Sequence, residues 1–241
     1  MHAEKLQAFV LSSLDYGDAD RIVSLFTLEH GRIKVFARGA RKSRKRFGAA
    51  LECFARIEAE ARVKDGLSGI QSAEIRNIYP RIRSNLAGIA HALYACELVD
   101  VMTPEGHPFP RLYRLLTAYL DHLETAAAVT GDRRFFEINL LNILGYRPSL
   151  ETCSCCDIPF GVSGALMQQG GEPACRSCAV VGRPLSAATL KALQGCLATG
   201  RFGLVRMSSE ALTQAGALLD ESLASHAGRR LKSLEFLHQV S

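Results

Sequence analysis

The sequence contains no Gly-Lys dipeptide and no His-Glu-x-x-His. The first absence excludes a phosphate loop of the nucleotide-hydrolase kind, and the second excludes the usual zinc-protease helix. Gly161-Val-Ser-Gly-Ala165 comes nearest to a nucleophile elbow, but it ends in alanine and lies among cysteines, where a ribbon turn is the simpler reading. The histidines are scattered, and His30, His91, His122 and His226 have no obvious Ser or Cys partner. No unbroken apolar run of membrane length exists either: Leu86 to Met102 is interrupted by His91, Glu97 and Asp100. The stretch Met1 to Leu11 carries charges at Glu4 and Lys5 and lacks the apolar centre of a secretory signal. No repeat of fixed period is visible. Together these absences predict a cytoplasmic protein that is not an enzyme.

What is present is ordinary in bulk and uneven in placement. A chain of 241 residues, 48% hydrophobic and 22% charged, is a globular protein of one or two domains. Its net charge is +5, yet residues 1–83 hold 16 Lys/Arg against 10 Asp/Glu, while the rest hold 13 against 14. The whole excess is N-terminal, which points to a polyanionic partner for the first third. Five of the eight cysteines fall between Cys153 and Cys178. Such clustering, without an export signal, argues for metal rather than disulfides.

The first eighty residues read as strands. Ile33, Val35 and Ala37 alternate with Arg32, Lys34 and Phe36, and Ile57, Ala59, Ala61 and Val63 alternate with Glu58, Glu60 and Arg62. Weaker strand signals lie at Leu6–Leu11, Arg21–Phe26 and Ile70–Tyr79, separated by turn-forming residues. Five short strands with no room for crossover helices predict a small antiparallel barrel. After Pro80 the period becomes helical. Leu112, Leu115, Leu116, Tyr119, Leu120 and Leu123 form one stripe, and Leu86, Ile89, Leu93 and Val101 a looser one. Further helices are predicted over Asp132–Leu144, from Ser186 and from Ser208. The predicted organisation is a barrel over 1–80 and a helical domain over 81–241, with a cysteine element inserted at about 150–182.

Two motifs carry chemistry. Cys153-x-x-Cys156 is followed, after 18 residues, by Cys175-x-x-Cys178, a spacing that lets four thiolates converge on one tetrahedral zinc. Four thiolates leave no open position for water, so the ion would be structural. Cys155 would be either a substitute ligand or a spare thiol. The second motif runs from Arg38 to Arg46 and holds Arg38, Arg41, Lys42, Arg44, Lys45 and Arg46, with no acid among them. Like charges that close repel, so the run favours phosphates over packing on itself. Phe36, on the polar face with Arg32 and Lys34, and Phe47, which closes the run, would either stack on unpaired bases or fill a small core. The composition is shared by an RNA-binding barrel with a zinc ribbon, which differs only in its partner.

The blocks Tyr16-Gly-Asp-Ala-Asp-Arg-Ile-Val-Ser-Leu-Phe-Thr27, Glu29-His-Gly31, Ala37-Arg-Gly-Ala-Arg-Lys-Ser43 and Phe47-Gly-Ala-Ala-Leu51 resemble those of the RecO family of bacterial recombination mediators. The paired knuckles and the ending Leu231-Lys-Ser-Leu-Glu-Phe-Leu237 are similar to the rest of that family. The resemblance implies an α+β protein: an N-terminal five-stranded oligonucleotide-binding (OB-fold) barrel, then an all-α domain with an inserted four-cysteine zinc element. It also implies non-catalytic work in DNA repair near the nucleoid. Such a protein binds single- and double-stranded DNA and anneals complementary strands. With RecR, it helps load RecA onto DNA coated by single-strand-binding protein, whose acidic C-terminal tail would dock on the helical domain.

Overall fold

A computed structural model describes residues 2–43, 45–179 and 181–240. Five strands come first: β1 (Glu4–Tyr16), β2 (Asp20–Thr27), β3 (Gly31–Ala37), β4 (Arg56–Arg62) and β5 (Leu67–Asn77). Next come α1 (Pro80–Arg83), α2 (Leu86–Met102), α3 (Pro110–Thr125) and α4 (Thr130–Leu144). The short strands β6 (Ala165–Met167), β7 (Pro173–Ala174) and β8 (Arg183–Leu185) precede α5 (Ala187–Thr199), α6 (Ser209–Ala227) and α7 (Lys232–Val240). Two compact units result, residues 1–127 joined by 231–241, and residues 128–230. The change from strand to helix falls between Asn77 and Pro80, and the compact units divide at 127.

In the first unit the five long strands close into a barrel, in the order β1-β2-β3-β5-β4, and β3 meets β5 in parallel. This is the five-stranded oligonucleotide-binding barrel that the family resemblance implies; the parallel β3–β5 closure departs from the wholly antiparallel barrel expected from the strand pattern. Period-two burial drives it: Ile33, Val35 and Ala37 on β3 and Ile57, Ala59 and Ala61 on β4 face one core with Leu6, Val10 and Leu25. The connection between β3 and β4 supplies Phe47, Ala50, Leu51 and Ala55 to that same core. It therefore plugs the barrel rather than looping away from it.

β3 pairs with β5 only over Lys34–Phe36. Beside its first half runs the segment joining α2 to α3, where Gly106 N–H donates to the Arg32 carbonyl at 2.9 Å. A Cβ at Gly31, whose φ is 66°, would fall 1.8 Å from the His107 carbonyl oxygen. Both the backbone conformation and the close approach therefore require glycine.

The helices α2 and α3 pack on the outer surface of the barrel at β1 and β2. Phe9 and Phe26 lie under Tyr113 of α3, with ring centroids 5.1 and 6.1 Å apart, and Ser24 donates to Asp100 of α2 at 2.6 Å. The stripe predicted on α2 is not the one that packs. Leu86 is exposed and Ile89, Leu93 and Val101 are half-buried, whereas Ala90, His91, Ala92, Tyr94, Ala95, Cys96, Leu98 and Val99 are buried. A helix enclosed on most sides has no single apolar stripe to read. His91 is a satisfied core residue, its Nδ1 2.7 Å from the Tyr119 hydroxyl. The stripe on α3 is as expected, with Leu112, Leu116, Tyr119, Leu120 and Leu123 buried and Leu115 at its edge.

α7, more than a hundred residues downstream, is held on this unit by Glu97 of α2. That carboxylate accepts from Lys232 N at 3.2 Å, Ser233 N at 2.7 Å and Ser233 Oγ at 2.5 Å, satisfying donors that open the helix. In the second unit, Ser186 and Ser208 cap α5 and α6 by accepting from Thr189 N and Ala211 N. Arg133 and Arg134 of α4 are buried against Glu137 and Asp220. Burial alone would favour a neutral Arg134, but the two carboxylates outweigh it and its pKa is raised.

Glu97→Ala should behave as the loss of a helix cap. The expected cost is about 0.5–2 kcal/mol in urea unfolding, with faster hydrogen exchange confined to the amides of 232–238 and Glu97→Gln intermediate. Unchanged exchange in α7 would show that apolar packing on α2 holds it alone.

Candidate nucleic-acid interface and metal centre

The basic run starts where β3 ends, and its backbone is tied to the turn between β1 and β2. Gly39 N–H donates to Asp20 Oδ1 at 2.6 Å, and Arg41 N–H donates to the Ala19 carbonyl at 2.9 Å. Arg46 closes the loop from the other side, donating to the Arg38 carbonyl at 2.6 Å and to Ser43 Oγ at 3.1 Å. Its guanidinium lies 4.9 Å from the Phe47 ring centre. Arg41 is 3.5 Å from Asp15, an exposed pair that contributes little to stability. Lys34, Arg38, Lys42 and Lys45 are exposed and have no acidic partner among the described residues. Arg44 lies outside the described residues.

Two expected residues leave this surface. Arg32 shares its strand with Lys34 and Phe36, but its side chain is only 16% exposed. Its Nε donates to the Thr103 carbonyl at 3.0 Å, and Asp100 and Glu105 lie 3.9 and 3.8 Å away, so it binds the segment that covers β3. Phe47 is 3% exposed and belongs to the barrel interior, so its ring has no free face for a base. Neither outcome follows from local sequence, because each depends on a partner remote in the chain.

One further ring was missed. A register shift in β1 between Val10 and Ser12 reverses the alternation, so that Leu14, opposite Ile22, continues the outer face. Tyr16 follows at the strand's end, 56% exposed, with its ring 5.9 Å from that of Phe36 at 79°. The strand was expected to stop at Leu11. The polar Asp15 hid the alternation of Leu14 and Tyr16, which was the available signal. The open part of the barrel's outer face thus carries the Tyr16 and Phe36 rings, with Lys34 and Arg38 on the same strand and connection.

The second candidate is built by the cysteine knuckles of the other unit. The sulfurs of Cys153, Cys156, Cys175 and Cys178 all lie within 4.8 Å of one another, with Cys156 and Cys175 3.8 Å apart. A tetrahedral ion with metal–sulfur bonds of about 2.3 Å separates its ligands by about 3.8 Å, so the cluster fits zinc. Cys155 stands outside this set: its N–H donates to Cys153 Sγ at 3.4 Å, and its own side chain is exposed. Cys175 N–H also donates to Cys153 Sγ, at 3.2 Å, linking the knuckles. The three-stranded sheet β7-β6-β8 holds the second knuckle close to the first, and Ser154 N–H donates to the Pro173 carbonyl.

The electrostatics of the cluster are those of a site built for a cation. Backbone donors, first that of Cys175, bring the Cys153 thiol down to about 6. Neighbouring thiols, first Cys156 and then Cys175, push Cys178 up. Four sulfurs this close cannot all ionise without a positive charge among them.

Both halves of the chain match family models. The model described as recombination protein O N terminal matches residues 1–79, and that described as recombination protein O C terminal matches residues 83–235. The chain is 65% identical over 242 residues to the DNA repair protein RecO of Pelobacter propionicus, covering 100% of this chain and 98% of the relative. It is 50% identical to that of Geobacter sulfurreducens, covering 100% of each, and 44% identical over 248 residues to that of Geobacter metallireducens, covering 100% of this chain and 99% of the relative. No described helix is long and apolar enough to cross a membrane. With its closed barrel, its helices and its cysteine cluster matched from end to end, the chain belongs to the RecO family of DNA repair proteins.

Proposed function

We propose that the chain is a recombination mediator that binds single- and double-stranded DNA on the open outer face of the barrel and on the β3–β4 connection, and anneals complementary strands there. The observation that carries the reading is the placement of Arg38, Lys42 and Lys45. They stand exposed and, among the described residues, without acidic partners, on a loop whose backbone is pinned by Asp20 and Arg46. A pinned loop presents its cations without ordering a free chain at each encounter, and each phosphate it neutralises releases counterions. Lys34 extends the charge along β3, and Phe36 and Tyr16 offer rings that any base can stack on. Arg41 and Arg46 act mainly as braces for this loop. In this reading residues 1–80 are the DNA-binding domain.

Annealing on such a face needs no nucleotide hydrolysis, because lowering the repulsion between two polyanions is an equilibrium effect. Family membership favours DNA over the RNA-binding alternative. It also extends the reading to action with RecR, to docking of the single-strand-binding protein tail on the helical part, and to delivery of RecA. Zinc on Cys153, Cys156, Cys175 and Cys178 is structural in this reading, since four sulfurs complete its tetrahedron.

Replacing Arg38, Lys42 and Lys45 together by Gln should weaken binding of single strands and duplexes, and slow annealing of DNA coated with single-strand-binding protein. The log–log salt slope for single strands should become shallower by about 0.7 per lost phosphate contact. The same affinity and slope as the native protein would remove this loop from the interface.

Zinc affinity should rise with pH, since each sulfur must lose its proton before it can serve as a ligand. The Cys153 thiol, at about 6, is already ionised at neutral pH, whereas Cys178 is still protonated and must release its proton to the solvent. Competition with a chromophoric chelator is therefore expected to show affinity climbing by about tenfold or more per pH unit between pH 6.5 and 8, and more steeply below pH 6. A flat profile would mean that these four cysteines do not bind the ion.

A further inference from the structure

The cross-strand row that carries Phe36 contains a gap. Across the outer face the register runs Leu14, Ile22, Phe36, Gly69 and Arg62, one residue from each strand of the barrel in turn. Gly69 interrupts it between an aromatic ring and an exposed cation.

Nothing local demands glycine there. Its φ lies outside the left-handed region, and a Cβ would meet no atom within 4 Å. Gly31 is the contrast, since its neighbours leave no room for any side chain. A glycine inside a strand weakens it and marks a bulge, a barrel corner or the close approach of a ligand or another backbone. The register shift between β4 and β5 falls between Ile70 and Ser72, beyond Gly69, which keeps its ordinary pairing with Arg62 and so is left as a place of close approach. Spacing defines what would fit. Neighbouring strands lie about 4.8 Å apart, so Phe36 and Arg62 stand roughly 10 Å apart across Gly69. A flat ring stacked on both sides needs about 3.4 Å on each, which leaves room for one planar group and no more.

We infer that Gly69 is the floor of a slot for one unpaired nucleobase, held between the Phe36 ring and the Arg62 guanidinium. Arg62 is exposed and makes no ion pair among the described residues, which leaves its planar face available for stacking. Glu60 lies two residues away on the same strand face, but it accepts from Ser72 at 3.2 Å on the far side of the pairing with β5. The Tyr16 ring packs beside that of Phe36, at a steep angle to it. The rim is cationic, with Lys34 next along β3 and Arg38 just beyond its end, which suits the phosphates on either side of a seated base. A duplex cannot use the slot, because its bases are stacked and paired. The slot therefore makes the face selective for single strands, whereas the β3–β4 loop cations act on both. The inference rests on the DNA-binding reading of this face and adds to it the element that distinguishes unpaired from paired substrate.

The test is Gly69→Val, which fills the gap without touching a charge. Binding is read by fluorescence anisotropy, with one labelled oligonucleotide of mixed sequence used single-stranded and as a blunt duplex. Loss of the slot should weaken single-strand binding by about fivefold or more, the lower range for one base–aromatic stack, with duplex binding within about twofold of native. The melting temperature should hold or rise, because valine suits a strand better than glycine. If the valine variant melts early, Gly69→Ala and Phe36→Leu carry the same comparison. Equal single-strand binding by the native and filled proteins, or equal losses on both substrates, overturns the slot. If the Arg38/Lys42/Lys45 variant still loses affinity in that case, phosphate binding by this face stands without the slot. If that variant also binds both substrates normally, both readings fail.

Discussion

The interior of the barrel cannot be filled by its five strands alone, and the segment that completes it is the one that carries the cations. The strands contribute alanines at 8, 37, 59 and 61 to that core, side chains of small volume. Phe47 and Leu51 come from the β3–β4 connection to occupy that space, each worth about 1.5–3 kcal/mol when fully buried. Phe47 is anchored inside, and Arg46 beside it donates to the Arg38 carbonyl, which ties the two ends of the basic run together. The run turns at Gly39, whose N–H meets Asp20, and Arg38, Lys42 and Lys45 are exposed. The repulsion among these cations is opposed by burial a few residues away rather than by neutralising partners. Their charge therefore stays available.

The sequence was most legible where the deciding interactions are local. Alternation on β3 and β4 needs only the next residue but one, capping by Ser186 and Ser208 needs only the following turn, and a Cys-x-x-Cys knuckle is complete in four residues. Legibility ended where a remote segment decided the outcome. Arg32 and Lys34 read alike, but Thr103, Asp100 and Glu105 claim the first and leave the second in solvent. Phe47 and Phe36 read alike, but the need to close the barrel takes Phe47 inside. The α2 pattern misled for the opposite reason: with barrel, α1, α3 and α7 around it, small and mixed residues are buried on several sides. Docking of α7 depends on Glu97, 135 residues before Lys232, and no local pattern announces such a pair.

The cysteine cluster works by a different logic from the barrel. Among the described residues, the apolar support around Cys153, Cys156, Cys175 and Cys178 is small: Ala174, Ala179, Phe160 and Leu166 beside the sulfurs themselves. A segment with strands of two and three residues cannot be held by so little. Backbone donors that lower the Cys153 thiol begin the work of ionising the set, and a divalent cation would complete it. Cys155, exposed and outside the cluster, is not needed to fill the coordination shell.

On the proposed reading, the division of labour across the barrel face explains how one surface could hold a strand and still let it pair. Lysine and arginine contacts to phosphate are indifferent to sequence and leave the Watson–Crick edges of the bases uncovered. A face paved with rings would bind single strands more tightly but would compete with the complementary strand for every base. Among the described residues the open area bears two rings, Tyr16 and Phe36, and they meet edge to face, so that Tyr16 supports Phe36 rather than forming a second parallel platform. One seated base fixes the strand against sliding while its neighbours remain free to find partners. When they pair, the stacking of the growing duplex exceeds what a single slot can offer, at about 1.4 kcal/mol per base-pair step, and the base leaves. Tight holding of single strands and ready release of duplex thus come from keeping the aromatic contact small and the electrostatic contact broad.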